Sequence, residues 1–141
     1  MSEIRIFTLD VAERTLPLLR RILADLKQEY DVWREALAHY ELLAGGSQAN
    51  AGASMKLIDA RMAVSTAADR IDKFLAEIDS IGCLFKGFEE GLVDFYALRE
   101  DRLVLLCWKH GEEHITHWHE VDAGFPGRQP IDAGDFSGVI P

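Results

Sequence analysis

Cysteine is scarce in this chain, with only Cys83 and Cys107 among 141 residues. That is too few for the disulfide framework of a small secreted domain, and both are expected to remain thiols in a reducing compartment. No stretch approaches the about eighteen apolar residues of a membrane-spanning helix. The start, Met-Ser-Glu-Ile-Arg, has no basic segment followed by an apolar one, so a cytoplasmic protein is expected. Positive charge is in deficit: 15 Lys and Arg stand against 24 Asp and Glu, a formal charge of -9. Nucleic acid is therefore not expected as a partner, because phosphate binding depends on Lys and Arg replacing condensed counterions. There is no internal repeat, serine-nucleophile motif, dinucleotide fingerprint or metalloprotease pattern. Whether the chain is an enzyme is left open.

What is present is ordinary for one globular domain, with 48% hydrophobic and 28% charged residues. A compact domain of this size buries roughly 68–70% of the surface its unfolded chain exposes, enough for a core without a structural metal. The acidity is uneven: residues 1–82 carry ten basic and thirteen acidic side chains, whereas residues 83–141 carry five and eleven.

The first half has helical periodicity. Leu19, Leu23, Leu26, Tyr30, Trp33, Leu37, Tyr40 and Ala44 alternate steps of four and three. A second series follows at Leu57, Ala60, Val64, Ala67, Ile71, Phe74, Ile78 and Ile81. Each seam spans roughly 38 Å at 1.5 Å per residue, so two helices can match along an antiparallel, coiled-coil-like hairpin over residues 8–82. Residues 45–54, rich in Gly, Ser and Asn, are expected to form the reversal. Thr8 can cap the first helix, and Asp10 with Glu13 offers a competing capping box. Pro17 marks either a kink or the start of the straight portion. Gly82 suits a left-handed helix end.

The apolar stripe is wider than one seam. Leu18, Ile22, Leu42 and Leu43 flank the first series, and Met55, Ile58, Met62, Ala63, Ala68 and Leu75 flank the second. Either the remainder of the chain covers them, or they form a four-helix homodimer or a groove for another helix.

After Gly82 the pattern shifts to short β-prone runs at Cys83–Lys86, Leu92–Phe95, Leu103–Trp108 and Ile115–Glu120. Lys109-His110-Gly111-Glu112-Glu113 is expected to turn the third run back onto the fourth. Ile4–Phe7 offers a further, short edge strand. The fold class is thus α+β, a helical hairpin followed by a small antiparallel β module with a carboxy-terminal loop, residues 83–141.

Ile6-Phe7-Thr8-Leu9 leads into the first helix, followed later by Gly91-Leu92-Val93-Asp94-Phe95, Leu106-Cys107-Trp108 with Gly111-Glu112, and Trp118-His119-Glu120 with Gly124-Phe125 and Gly127-Arg128. On these segments the chain resembles an uncharacterised prokaryotic family known as domain of unknown function 2203, over nearly its whole length. The resemblance implies the same helical-plus-β organisation and supplies no reaction or catalytic residue.

Cys107, His110, His114, His117 and His119 lie within thirteen positions. The spacing superficially suits zinc, whose ligands include thiolate and imidazole, but side chains three apart on a strand point to opposite faces. If Gly111-Glu112 is a two-residue loop, His117 and His119 share a face with Leu106 and Trp108, and Cys107 lies opposite. A one-residue shift of register reverses that assignment. The sharper metal expectation is His117 with His119, completed by a loop carboxylate such as Asp94 or Asp122, holding zinc or another divalent ion with a coordination position open for water. The family resemblance favours His119, which lies in a family-like segment. The alternative is a hydrogen-bonded imidazole at the edge of the β core. Cys107 is either a nucleophile assisted by His119 or a buried structural thiol.

Trp108 and Trp118 read as β-core packing before they read as a ligand platform. In residues 122–130, Arg128 either holds a small anion near His119 or pairs with Asp94 or Glu120. Taken together, the paired heptads favour an interaction or assembly module that self-associates or docks another helical protein, away from membranes. The alternative is a metal-dependent enzyme or small-anion binder with a site around His119 and Arg128, helped by His117, Cys107 or Asp94.

Overall fold

The computed structural model describes residues 4–46, 51–132 and 134–136. Two long helices, α1 (Leu9–Gly45) and α2 (Ala51–Ile81), precede five short strands, β1 (Leu84–Phe85), β2 (Leu92–Arg99), β3 (Arg102–Lys109), β4 (His117–Glu120) and β5 (Gln129–Pro130). The architecture is α+β with a helical hairpin, and the strands form one antiparallel sheet in sequential order. The described residues group into two compact units, one drawn from residues 1–23 and 77–141, the other from 24–76.

Helix α1 begins where Thr8 caps it. Its Oγ1 accepts a hydrogen bond from the Val11 amide at 3.2 Å, satisfying one of the donors a helix start leaves unpaired. Pro17 lies inside α1 and does not start it. Asp10 instead pairs with Arg14 one turn on, and Glu13 turns toward the β module. At the end of α2, Gly82 has φ +99°, and its amide donates to the Asp79 carbonyl at 2.9 Å. A Cβ there would lie 2.9 Å from the Arg5 side chain as well as straining the backbone. The expected reversal was too long: residues 51–54 belong to α2, and residues 47–50 lie outside the described residues.

In the unit formed by residues 24–76, the seam is antiparallel. Glu29 meets Arg70 at 3.6 Å near one end, and His39 and Leu43 line a shallow groove with Lys56 and Ala60 near the other. Leu26, Ala60, Ala67 and Ile71 are buried, while Tyr30, Trp33, Leu37 and Val64 are half-buried. A two-helix ribbon has no third layer to cover such positions completely.

In the other unit, the sheet has two distinct faces. Val93, Phe95 and Ala97 of β2, Val104, Leu106 and Trp108 of β3, and Trp118 of β4 are buried on one of them. Phe7 meets Phe95 edge-on with ring centroids 5.1 Å apart, and Arg20 of α1 lies over the Trp108 ring. The tryptophans are therefore core, as their apolar area favours. Ile4–Phe7 does not form a strand, although the Phe7 amide donates to the Tyr96 carbonyl at 2.7 Å. Strand β2 runs beyond Phe95 to Arg99 because Glu100 and Asp101 both adopt positive φ, 52° and 63°, and form a two-residue hairpin turn. That turn carries neither Asn nor Gly, so its sequence signal is weak.

Candidate metal centre

Strand register decides which side chains share the second face. The turn before β4 is not the two-residue Gly111-Glu112 loop. The Glu112 amide bonds the Lys109 carbonyl, and Gly111 takes φ +107° at the third turn position. Residues 113–116 then lead into β4, which pairs Leu105 with His119 and Cys107 with His117. This is one residue away from the two-residue-loop register, so Cys107 joins His117 and His119 instead of lying opposite them. Across β2, Asp94 pairs with Cys107, which places its carboxylate on the same face.

Asp94, Cys107 and His119 thus come from three adjacent strands, and each can present one donor atom within 4.8 Å of the others. All three are buried, at 3%, 1% and 2% exposure, away from the solvation that normally holds such groups. His119 is oriented from both sides. Its Nδ1 lies 2.7 Å from the Glu120 carbonyl oxygen, which can only accept, so Nδ1 carries a proton and donates. Nε2 points to Asp94 Oδ2 at 3.2 Å. A ring held through Nδ1 and presenting Nε2 is the usual posture of a metal-binding histidine.

The carboxylate is incompletely satisfied. Asp94 Oδ1 is buried and meets no hydrogen-bond donor among the described residues. Burial raises the Asp94 pKa above the ordinary carboxylate value, opposed by the neighbouring His119, the Cys107 thiol and the charge of Lys86. Burial also pushes the Cys107 thiol up to about 12, with the Asp94 charge adding to the effect. Without a cation, Cys107 is therefore a protonated thiol and a poor nucleophile. The hydrogen bonds do not form a Cys-His-Asp relay either, since the two ring nitrogens of His119 engage Glu120 and Asp94.

A chamber of about 230 Å³ opens beside the three donors, with Lys86, Leu92, Leu105, Val121 and Phe125 among its walls. Register puts Lys86 across from Leu92, where its amide donates to the Leu92 carbonyl. Gly124 at φ +67° turns the chain so that Phe125 comes over the site.

The other residues singled out from the sequence lie elsewhere. His117 is across from Cys107, but its Nδ1 is 2.8 Å from Thr116 Oγ1 and it is not one of the three grouped donors. Asp122 is exposed, and His114 reaches Glu13 on α1 at 3.3 Å. Arg128 pairs with neither Asp94 nor Glu120. It donates to Glu112 at 2.8 and 3.1 Å and to the Cys107 carbonyl at 3.2 Å, with Phe125 beneath its guanidinium. Glu120 is held instead by Arg102 at 3.0 and 2.8 Å. Arg128 thus fastens the loop carrying Phe125 to β3. Lys86 was missed from the sequence, where a lone lysine after a short apolar run carries no signal.

The family model described as "Uncharacterized conserved protein (DUF2203)" matches residues 5–131. The chain belongs to this family. The match spans both helices and all five strands, including Asp94, Cys107 and His119. No curated protein and no solved structure matches this DUF2203 member. No helix among its described residues is long and apolar enough to cross a membrane.

Proposed function

We propose that this protein binds one zinc-class divalent metal ion through Asp94, Cys107 and His119, and that its function runs through that centre. The observation that carries the reading is the convergence of a carboxylate, a thiol and an imidazole, all buried, with Asp94 Oδ1 unpartnered. Burying an unsatisfied acceptor costs about 1–3 kcal/mol, a cost a bound cation removes. One oxygen, one nitrogen and one sulfur donor suit zinc or cobalt better than magnesium or calcium, which favour all-oxygen sites. Three protein ligands leave a coordination position beside the chamber, the pattern of a metal-dependent enzyme or small-ligand receptor. A reducing, cytoplasmic setting keeps the Cys107 sulfur available as a ligand.

Elemental analysis of tag-free protein, before and after zinc exposure and buffer exchange, tests the assignment. About one zinc per chain is expected in the wild type, with loss in His119→Ala and Cys107→Ser. Cobalt substitution adds a thiolate-to-cobalt band in the near ultraviolet that depends on Cys107. A folded wild type that retains neither metal overturns the reading.

A second reading, self-association through the hairpin, is favoured by a different observation. Leu42, Met55, Ile58 and Met62 are 75%, 61%, 48% and 61% exposed. The last three recur at helical spacing on α2, so they form one exposed apolar stripe. A stripe of this kind suits pairing with a second copy about a two-fold axis. Leu26 is only 1% exposed, so its replacement tests the intramolecular core and not assembly. Light scattering over a range of concentrations on the wild type and on a Met55→Gln, Ile58→Gln, Met62→Gln variant distinguishes the cases. Association in the wild type and a folded monomeric variant support assembly; a concentration-independent monomer in the wild type overturns it.

A further inference from the structure

We infer that the chamber beside Asp94, Cys107 and His119 binds a small organic monocarboxylate, one oxygen taking the open metal position, the carboxylate paired with Lys86 and the tail lying against apolar walls. The inference rests on the metal reading above. Its separate support is the character of the chamber.

Size sets the first limit. At about 30 Å³ for each water-sized group, the 230 Å³ chamber holds roughly eight such groups, below the range of drug-sized pockets. The walls set the second. Leu92, Leu105, Val121 and Phe125 surround the donors with hydrocarbon and offer no side-chain hydrogen-bonding groups to a sugar or polyol.

Charge sets the third. A divalent ion held by the Asp94 carboxylate, the Cys107 thiolate and the neutral His119 ring has no net charge with its ligands. Lys86, an exposed lysine in the chamber wall, adds one positive charge that no ion pair among the described residues neutralises. The charge of Lys86 is felt at Asp94, so it lies within electrostatic reach of the donors. One surplus positive charge matches a monoanion and leaves a dianion such as phosphate overcompensated. An aliphatic carboxylate meets all three limits.

The test uses the full chain loaded with cobalt(II), titrated with acetate, butyrate, butyramide and inorganic phosphate while the visible d–d bands are followed. Butyrate is expected to perturb them saturably, at a concentration roughly fifteenfold lower than acetate because two more CH₂ groups are buried. Butyramide, uncharged and of similar shape, is expected to bind at least about tenfold more weakly than butyrate, and phosphate more weakly too. Lys86→Met is expected to weaken butyrate about tenfold while leaving the near-ultraviolet thiolate-to-cobalt band unchanged, and Lys86→Arg to restore much of the affinity. Lys86 is exposed, so neither change threatens the fold. Equal binding of butyrate and butyramide, or no effect of Lys86→Met on butyrate, overturns the carboxylate assignment while the metal centre stands. Absence of the thiolate-to-cobalt band in the wild type overturns the metal reading and this inference with it.

Discussion

His119 Nε2 lies 3.2 Å from Asp94 Oδ2, although twenty-five residues separate them in sequence and both side chains are almost wholly buried. The other ring nitrogen keeps its proton and donates it in a hydrogen bond to the Glu120 carbonyl, so the pair presents an imidazole lone pair and a carboxylate to the same small volume. Two such acceptors face each other stably only with a proton or a cation between them.

Replacing Asp94 separates these possibilities. Because the folded-state pKa of Asp94 is raised, its protonated form favours folding below the unfolded value. That contribution is lost as pH rises through the raised folded-state value, above which the buried carboxylate counts against the metal-free fold. Asp94→Asn supplies an N–H for His119 and carries no charge. Urea denaturation of metal-free protein is expected to find the variant more stable at neutral pH by on the order of 1 kcal/mol. The difference should shrink towards pH 3, and zinc binding should be lost. A variant less stable than the wild type at neutral pH argues against a strained carboxylate.

Metal affinity should depend steeply on pH. With the Cys107 thiol pushed up to about 12, binding near neutrality must release its proton. Apparent zinc affinity should therefore rise about tenfold per pH unit or more, and more steeply in acid, where Asp94 also gives up a proton. Competition with a chelating dye across pH 5–8 measures the slope; a flat profile is incompatible with thiolate ligation.

Arg128 should matter for stability and loop position. Arg128→Ala leaves the Glu112 carboxylate without its cation and frees the loop bearing Phe125. The expected loss is about 1–3 kcal/mol in urea denaturation. Arg128→Lys should recover only part of it, since the contacts to Glu112 and the Cys107 carbonyl leave from Nη2 at the tip of a guanidinium that lies over the Phe125 ring, and the compact ammonium has no such plane. Faster amide exchange around residues 124–128 is the structural readout.

The helix start offers an independent check. Thr8→Ala removes the hydroxyl that accepts the Val11 amide and should cost about 1 kcal/mol, whereas Thr8→Ser should cost little. If Pro17 were the effective start, the alanine change would leave the urea midpoint unmoved.

Much of this molecule was legible from local pattern. The seam residues from Leu19 to Ile81 lie on two helices because a three-and-four repeat has no other low-energy expression over such lengths. Thr8 and Gly82 mark their ends because capping and left-handed termination are properties of a few adjacent residues. Cys107, Asp94 and His119 were recognisable as candidates by side-chain chemistry alone.

Their association was not. A strand has a side-chain period of two, so one residue in the Lys109–Thr116 connection determines whether Cys107 faces His119 or its back. That connection is shaped by contacts far away in sequence. Glu13 of α1 accepts the Ile115 amide at 2.8 Å, and Glu112 is held by Arg128. The hairpin also turns at Glu100-Asp101, where positive φ is imposed without glycine. Amino-acid order therefore determined the helices, the β character and the inventory of donors, because each depends on neighbours within a turn or a strand. Only tertiary structure chose the register that brings Asp94, Cys107 and His119 together beside Lys86, with Arg128 engaged by Glu112 and the Cys107 carbonyl, because that choice is made by packing between distant segments.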